Sequence, residues 1–246
     1  MTSPILAFSD AFASFKAQVL DYVSYSFLAN IIAGVLASVM ILAIFVFSIF
    51  FAGSISNIIA TGAYFSIAAL ISGATLLILL AGFLIVSWAM AGIIGSYLAT
   101  MSELVSRRKP SMQGFLSSVP RYASRLFILS LLLAILIGGP VFVSAIISSY
   151  AGQILGILII LAGCAISLVM GMLLLFALPA AIVDNKGALD SVRTSISLSI
   201  RNIVPVLIFS IISAVLAAPF IIPFYMQLFF MPFVASALLI FYRNSR

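Results

Sequence analysis

The 246-residue chain has no histidine, one cysteine, one tryptophan and five acidic residues. Each scarcity removes a class of chemistry. Without histidine there is no imidazole to bind zinc or to activate a serine nucleophile, and no lysine falls inside an apolar span to replace it. The carboxylates, Asp10, Asp21, Glu103, Asp184 and Asp190, are scattered and lie outside the predicted spans, so neither an acid pair nor a metal cluster is expected. Asp184 and Asp190 are close in sequence, but Lys186 and Arg193 beside them point to a solvated salt-bridge network. Cys164 stands alone in an apolar run, which excludes an intrachain disulfide and predicts a small buried packing residue. The sequence therefore reads as a non-enzyme, with no catalytic residue, metal or cofactor.

Charge itself is scarce. Only 7% of residues are charged and 65% are hydrophobic, whereas a soluble domain carries about a quarter charged residues. The expected solvent is a bilayer. The charges leave three neutral stretches, Tyr22–Ser102, Leu126–Val183 and Asn202–Tyr242, of 81, 58 and 41 residues. One span takes about 20 apolar residues, so each stretch accommodates two helices and a return. This predicts an all-α polytopic membrane protein of six transmembrane helices in three hairpins, forming one membrane domain over residues 1–246.

The sign of the charges orients it. Lys16 precedes the first hairpin; Arg107, Arg108, Lys109, Arg121 and Arg125 separate the first from the second; Lys186, Arg193 and Arg201 separate the second from the third; Arg243 and Arg246 end the chain. Cytoplasmic loops retain Lys and Arg, so both termini are predicted inside, in a multi-pass protein of the cell membrane. Dispersed basic residues without a soluble domain argue against nucleic acid and for anionic headgroups, so Arg107, Arg108, Lys109, Arg121, Arg125, Lys186, Arg193 and Arg201 are the candidate lipid contacts. Asp10, Lys16 and Asp21 interrupt the first stretch, contrary to a cleavable signal.

Local composition refines the spans. The first is expected over 27–51, with a polar return at Gly53–Gly62. The run from Tyr64 to Ser102 is too long for one upright helix, which predicts a tilt, a cytoplasmic projection or a break, the last at Gly92 and Gly95. Gly138-Gly139-Pro140 predicts a kink, because proline lacks an amide. Gly163, Ser167 and Gly171, four apart, form a small-residue face for helix packing. The apolar turn between Pro219 and Pro223 is expected in the outer interface.

A short pattern precedes each hairpin: Phe12-Ala-Ser-Phe15, Leu116-Ser-Ser-Val119 and Leu189-Asp-Ser-Val192. Apolar residues at i and i+3 around a serine, with a base nearby, predict an amphipathic helix on the cytoplasmic surface. The repeats would cover about 5–106, 110–183 and 184–246.

The third repeat carries a motif, Pro179-Ala-Ala-Ile-Val-Asp184-Asn-Lys-Gly187, followed by Ser191-Val192, Ser195, Leu198 and Asn202. Asp184, Gly187, Ser191, Ser195 and Asn202 would form a polar seam, with Asp184 favouring the N-terminus of a helix that begins after Gly187. These positions resemble the membrane-domain family of glycerophosphodiester phosphodiesterases and related six-span bacterial and archaeal proteins. The resemblance implies a six-span membrane domain; the family's soluble catalytic half, with its carboxylates and acid–base histidine, has no counterpart here. The function expected is a non-catalytic module that organises lipids or partner subunits, or its own copies, at the cytoplasmic leaflet. The alternative is a transporter or channel for a neutral or lipidic solute; ion coupling is disfavoured because no ionisable side chain falls within a span.

Overall fold

Long apolar runs without interior charge satisfy their backbone locally in lipid by forming helices, and among the described residues every regular element is helical. The computed structural model describes residues 3–61, 67–217 and 224–246, with side chains described for 3–42, 44–45, 77–215 and 231–246. In order, the elements are α1 (Pro4–Ala17), α2 (Val19–Thr61), α3 (Ile67–Val105), α4 (Met112–Leu133), a π-helical turn (Ala134–Gly138), α5 (Gly139–Ser148), α6 (Gln153–Leu173), α7 (Ala177–Val183), α8 (Ala188–Arg201), α9 (Ile203–Ala217) and α10 (Phe224–Ser245).

Four segments are long and apolar enough to cross a membrane: Val19–Leu42, Leu77–Val105, Met112–Ser148 and Gln153–Val183. A fifth is counted if α8 and α9 are taken together, but they meet at 103°. The bend has a local cause. Pro205 has no amide to bond the Arg201 carbonyl and its ring crowds that oxygen, so the helix stops at Asn202 and restarts. The turn expected between Pro219 and Pro223 lies outside the described residues, as does Gly62 at the end of the first expected return.

Several expectations are corrected. Residues 53–61, read as a return loop, continue α2 as helix, making it 43 residues long. At 1.5 Å per residue that is ~65 Å, about twice one span. Gly92 and Gly95 do not break α3, which runs unbroken over 39 residues. They are where α4 comes closest: a Cβ on Gly92 would stand 2.6 Å from the Val119 carbonyl oxygen, and one on Gly95 2.5 Å from Tyr122 Cβ. The second surface segment, Leu116–Val119, is not a separate helix but the first half of α4. Cys164 is exposed on α6 rather than packed inside.

At the Gly138-Gly139-Pro140 kink the ladder widens into the π turn, with Pro140 in the first turn of α5. Ser167 on α6 donates to the Ile137 carbonyl at 2.5 Å, and Ser144 to the Pro140 carbonyl at 2.7 Å, so serines take up carbonyls at the kink. Gly163 faces the same place, where a Cβ would meet the Ser144 side chain and, at 2.9 Å, the Pro140 oxygen. Gly171, by contrast, meets nothing within 4 Å.

The packed core is concentrated at one end. Phe8 of α1 stacks on Phe209 of α9 at 4.9 Å, and Phe209 on Phe241 of α10 at 4.9 Å. Phe176, Ala180, Leu198, Ile240 and Tyr242 belong to the same cluster. Leu98, Leu126, Leu129, Ala177 and Ala181 join α3, α4 and α7. Toward the other end Leu77, Ile78, Ile135, Phe142, Ile154 and Leu168 are exposed, as lipid-facing residues are.

Candidate functional site

The helix ends that carry charge are tied together by side chains. Arg243 of α10 donates to the Ser102 carbonyl at 3.2 Å, to Ser102 Oγ at 2.7 Å and to Ser106 Oγ at 2.9 Å, fixing the end of α10 to the end of α3. Tyr25 of α2 donates to the Pro110 carbonyl at 2.9 Å, which holds the α3–α4 connection against α2. Tyr242 donates to Asp184 Oδ2 at 2.5 Å, Lys186 stands 3.7 Å from the same carboxylate, and Arg246 pairs with its other oxygen. Asp184 is thus the acceptor at the centre of the cluster. A half-buried carboxylate is costly without such partners, and here a phenol and two cations supply them.

This alters the part expected of Asp184. It ends α7, and the carboxylate in the first turn of α8 is Asp190, whose Oδ2 lies 3.8 Å from where a Gly187 Cβ would be. Gly187 caps α8 with an extended backbone. Asn185 between them has φ 55°, a left-handed conformation that asparagine tolerates better than most residues. Arg125 reaches across from α4, donating to Asn185 Oδ1 at 2.5 Å and to the Ala181 carbonyl at 3.2 Å. It therefore closes the C-terminus of α7, where a cation is favoured by the exposed carbonyls.

The serines of α8 explain how that helix is seated. Ser195 is fully buried at the gap between α6 and α7; it accepts from the Phe176 amide at 3.0 Å and donates to the Leu173 carbonyl at 2.8 Å. One hydroxyl thus satisfies a donor and an acceptor that the broken helix leaves open. Ser199, not singled out by the sequence, donates to the Met172 carbonyl at 3.3 Å. Its signal was its place four residues after Ser195 on the same helical face. Ser191 and Asn202 bond their own helix instead, to Gly187 at 2.7 Å and to Leu198 at 3.0 Å.

The eight candidate headgroup contacts divide accordingly. Arg125 and Lys186 are engaged inside, the latter also donating to Thr194 at 2.8 Å. Arg121 lies over the Tyr122 ring at 5.9 Å. Arg107, Arg108, Lys109, Arg193 and Arg201 are exposed, and their side chains have no hydrogen-bond or ion-pair partner among the described residues. Sequence spacing alone did not separate the two groups, since both flank spans. Tyr242, Arg243 and Arg246 were missed as site residues because they read as the end of a span.

No group of three or more metal-ligating side chains is found among the described residues. No protein-family model, curated protein or solved structure matches the chain.

Proposed function

We propose that the protein is a non-catalytic, six-span membrane module, both termini cytoplasmic, that gathers anionic lipid at the cytoplasmic leaflet. The observation that carries this reading is the set of exposed cations Arg107, Arg108, Lys109, Arg193 and Arg201, none of which has a partner among the described residues. They sit at the end of the bundle where the charged helix termini are bonded together. A cation that serves only internal structure has an internal partner, as Arg125, Arg243 and Arg246 do. Beside the free cations α8 exposes Leu189 (63%) and Ile200 (59%), side chains suited to acyl chains just beneath headgroups.

Two further features support the module. The helices α1 and α8 are each 14 residues long and end in an amide residue of similar backbone, Gln18 at φ −138°, ψ 35° and Asn202 at φ −122°, ψ 38°. Ala7 and Ala11 of α1 are buried at the positions of Ser191 and Ser195 of α8, which favours an internal repeat shifted about seven residues from the alignment of Phe12–Phe15 with Leu189–Val192. The motif around Asp184 then belongs to the docking of α8. Against a solute pathway through the α4–α5 kink, the Ile137 and Pro140 carbonyls there are already bonded by Ser167 and Ser144.

The test is lipid retention. Purified from vesicles of mixed composition, the protein should carry acidic lipid above its input fraction. Arg108→Gln, Lys109→Gln, Arg193→Gln and Arg201→Gln together should remove that enrichment, as should high salt. Equal retention by parent and quadruple variant would sink the reading.

A further inference from the structure

A cavity of about 360 Å³ lies between α1, the end of α3 and α10. Its polar lining is Asp10, Ser14 and Gln18 from the α1 side, Arg107 from the turn after α3 and Asn244 from α10. Ser14 is engaged with the Tyr22 hydroxyl at 2.9 Å. Asp10 and Arg107 carry opposite charges into one cavity, yet no ion pair joins them, and neither side chain has another hydrogen-bond or ion-pair partner among the described residues.

The backbone at Arg107 adds an independent observation. The Arg107 amide bonds the Leu104 carbonyl at 2.9 Å and the Arg108 amide the Glu103 carbonyl at 3.0 Å, the two closing bonds of a helix whose next residue turns left-handed. That residue is Arg107, at φ 55°. Glycine is the unstrained choice there, and a side chain costs about 1 kcal/mol or more. Helix termination therefore does not explain an arginine, whereas the cavity its side chain lines does.

We infer that this cavity binds a phosphoethanolamine group, with the phosphate on Arg107 and the primary ammonium on Asp10. A guanidinium presents a fork of N–H donors that matches phosphate oxygens. An ammonium with three N–H donors suits a carboxylate and the neighbouring Gln18 and Asn244 carbonyls. A quaternary ammonium is the poorer fit, because among the described residues no aromatic ring lines the cavity to receive it. The source is either an aminophospholipid headgroup or the free compound. The lipid source rests on the lipid-module reading above; the free one does not.

The experiment uses the full chain in two arms. In the first, the protein is extracted from vesicles of equal phosphatidylethanolamine, phosphatidylcholine and phosphatidylglycerol, and retained lipid is quantified. Phosphatidylethanolamine should exceed phosphatidylcholine by about tenfold, equivalent to 1.4 kcal/mol. In the second, free O-phosphoethanolamine is titrated against phosphocholine in calorimetry. Asp10→Asn should abolish the preference between the two headgroups. Arg107→Gly should abolish binding of both while melting no lower than the parent, since glycine relieves the left-handed strain; that melt separates lost binding from lost folding.

Retention of phosphatidylglycerol without discrimination between the other two lipids, together with no heat from free phosphoethanolamine, would overturn the inference and leave the module reading intact. Binding of the free compound alone would establish the cavity with a soluble ligand. Unchanged binding in Arg107→Gly would overturn it in either arm.

Discussion

At Gly92 and Gly95 the chain omits two side chains so that α4 can lie against α3, and the clearances leave no slack. A methyl on Gly92 would press on a backbone oxygen 2.6 Å away, which cannot rotate aside. Gly92→Ala should therefore destabilise the protein by about 1–3 kcal/mol, the usual cost of overpacking. Gly82→Ala and Gly171→Ala, where nothing lies within 4 Å, should leave the thermal midpoint in detergent unchanged or slightly raised. A Gly92→Ala melt equal to that of Gly82→Ala would refute the close approach. Ser195→Ala should cost about 1–3 kcal/mol, because the buried Phe176 amide loses its acceptor. The sequence shows that these glycines and serines are small. It does not show which have a neighbour, because a contact depends on the partner helix's rotation.

At the scale of the element, the segments Phe12–Phe15 and Leu189–Val192 belong to separate helices, α1 and α8, while Leu116–Val119 is continuous with α4. All three had the same apolar-x-Ser-apolar look, so pattern did not decide. The difference at the third is Pro205, three residues past Asn202, which removes a ladder bond; at the second, Pro120 is tolerated inside α4. Docking gives a second contrast. Arg125 ties α4 to the α7–α8 connection, so Arg125→Gln should lower the thermal midpoint by several degrees. Arg193→Gln on the exposed face of α8 should not move it. A reversed order of the two midpoints would mean that Arg125 does not hold this connection.

For the whole molecule, the expected outcome is a protein with all its basic termini on one membrane face. In a Cys164→Ser background, cysteines placed at Arg108 and at Gln153 should react with an impermeant maleimide from opposite sides of sealed vesicles, Gln153 from outside. Labelling of both from one side would overturn the hairpin formed by α4–α5 and α6. Composition alone determined that the chain is helical and apolar enough for a bilayer, because a backbone in lipid has no other local way to bond its own amides. Charge position marked the span ends near Val105, Met112 and Val183, but not the uncharged turn between Ser148 and Gln153 or the continuation of α2 to Thr61. Tertiary structure decided which cations are free: Arg125, Lys186, Arg243 and Arg246 find acceptors on other elements, whereas among the described residues Arg107, Arg108, Lys109, Arg193 and Arg201 do not. Those acceptors are Asp184, Thr194, and backbone or side-chain oxygens at the ends of α3 and α7, up to 141 residues away along the chain. The pairing of Lys186 with Asp184 is local and legible in the sequence; no local pattern encodes those of Arg125, Arg243 and Arg246, because they exist only once the helix ends have been brought together.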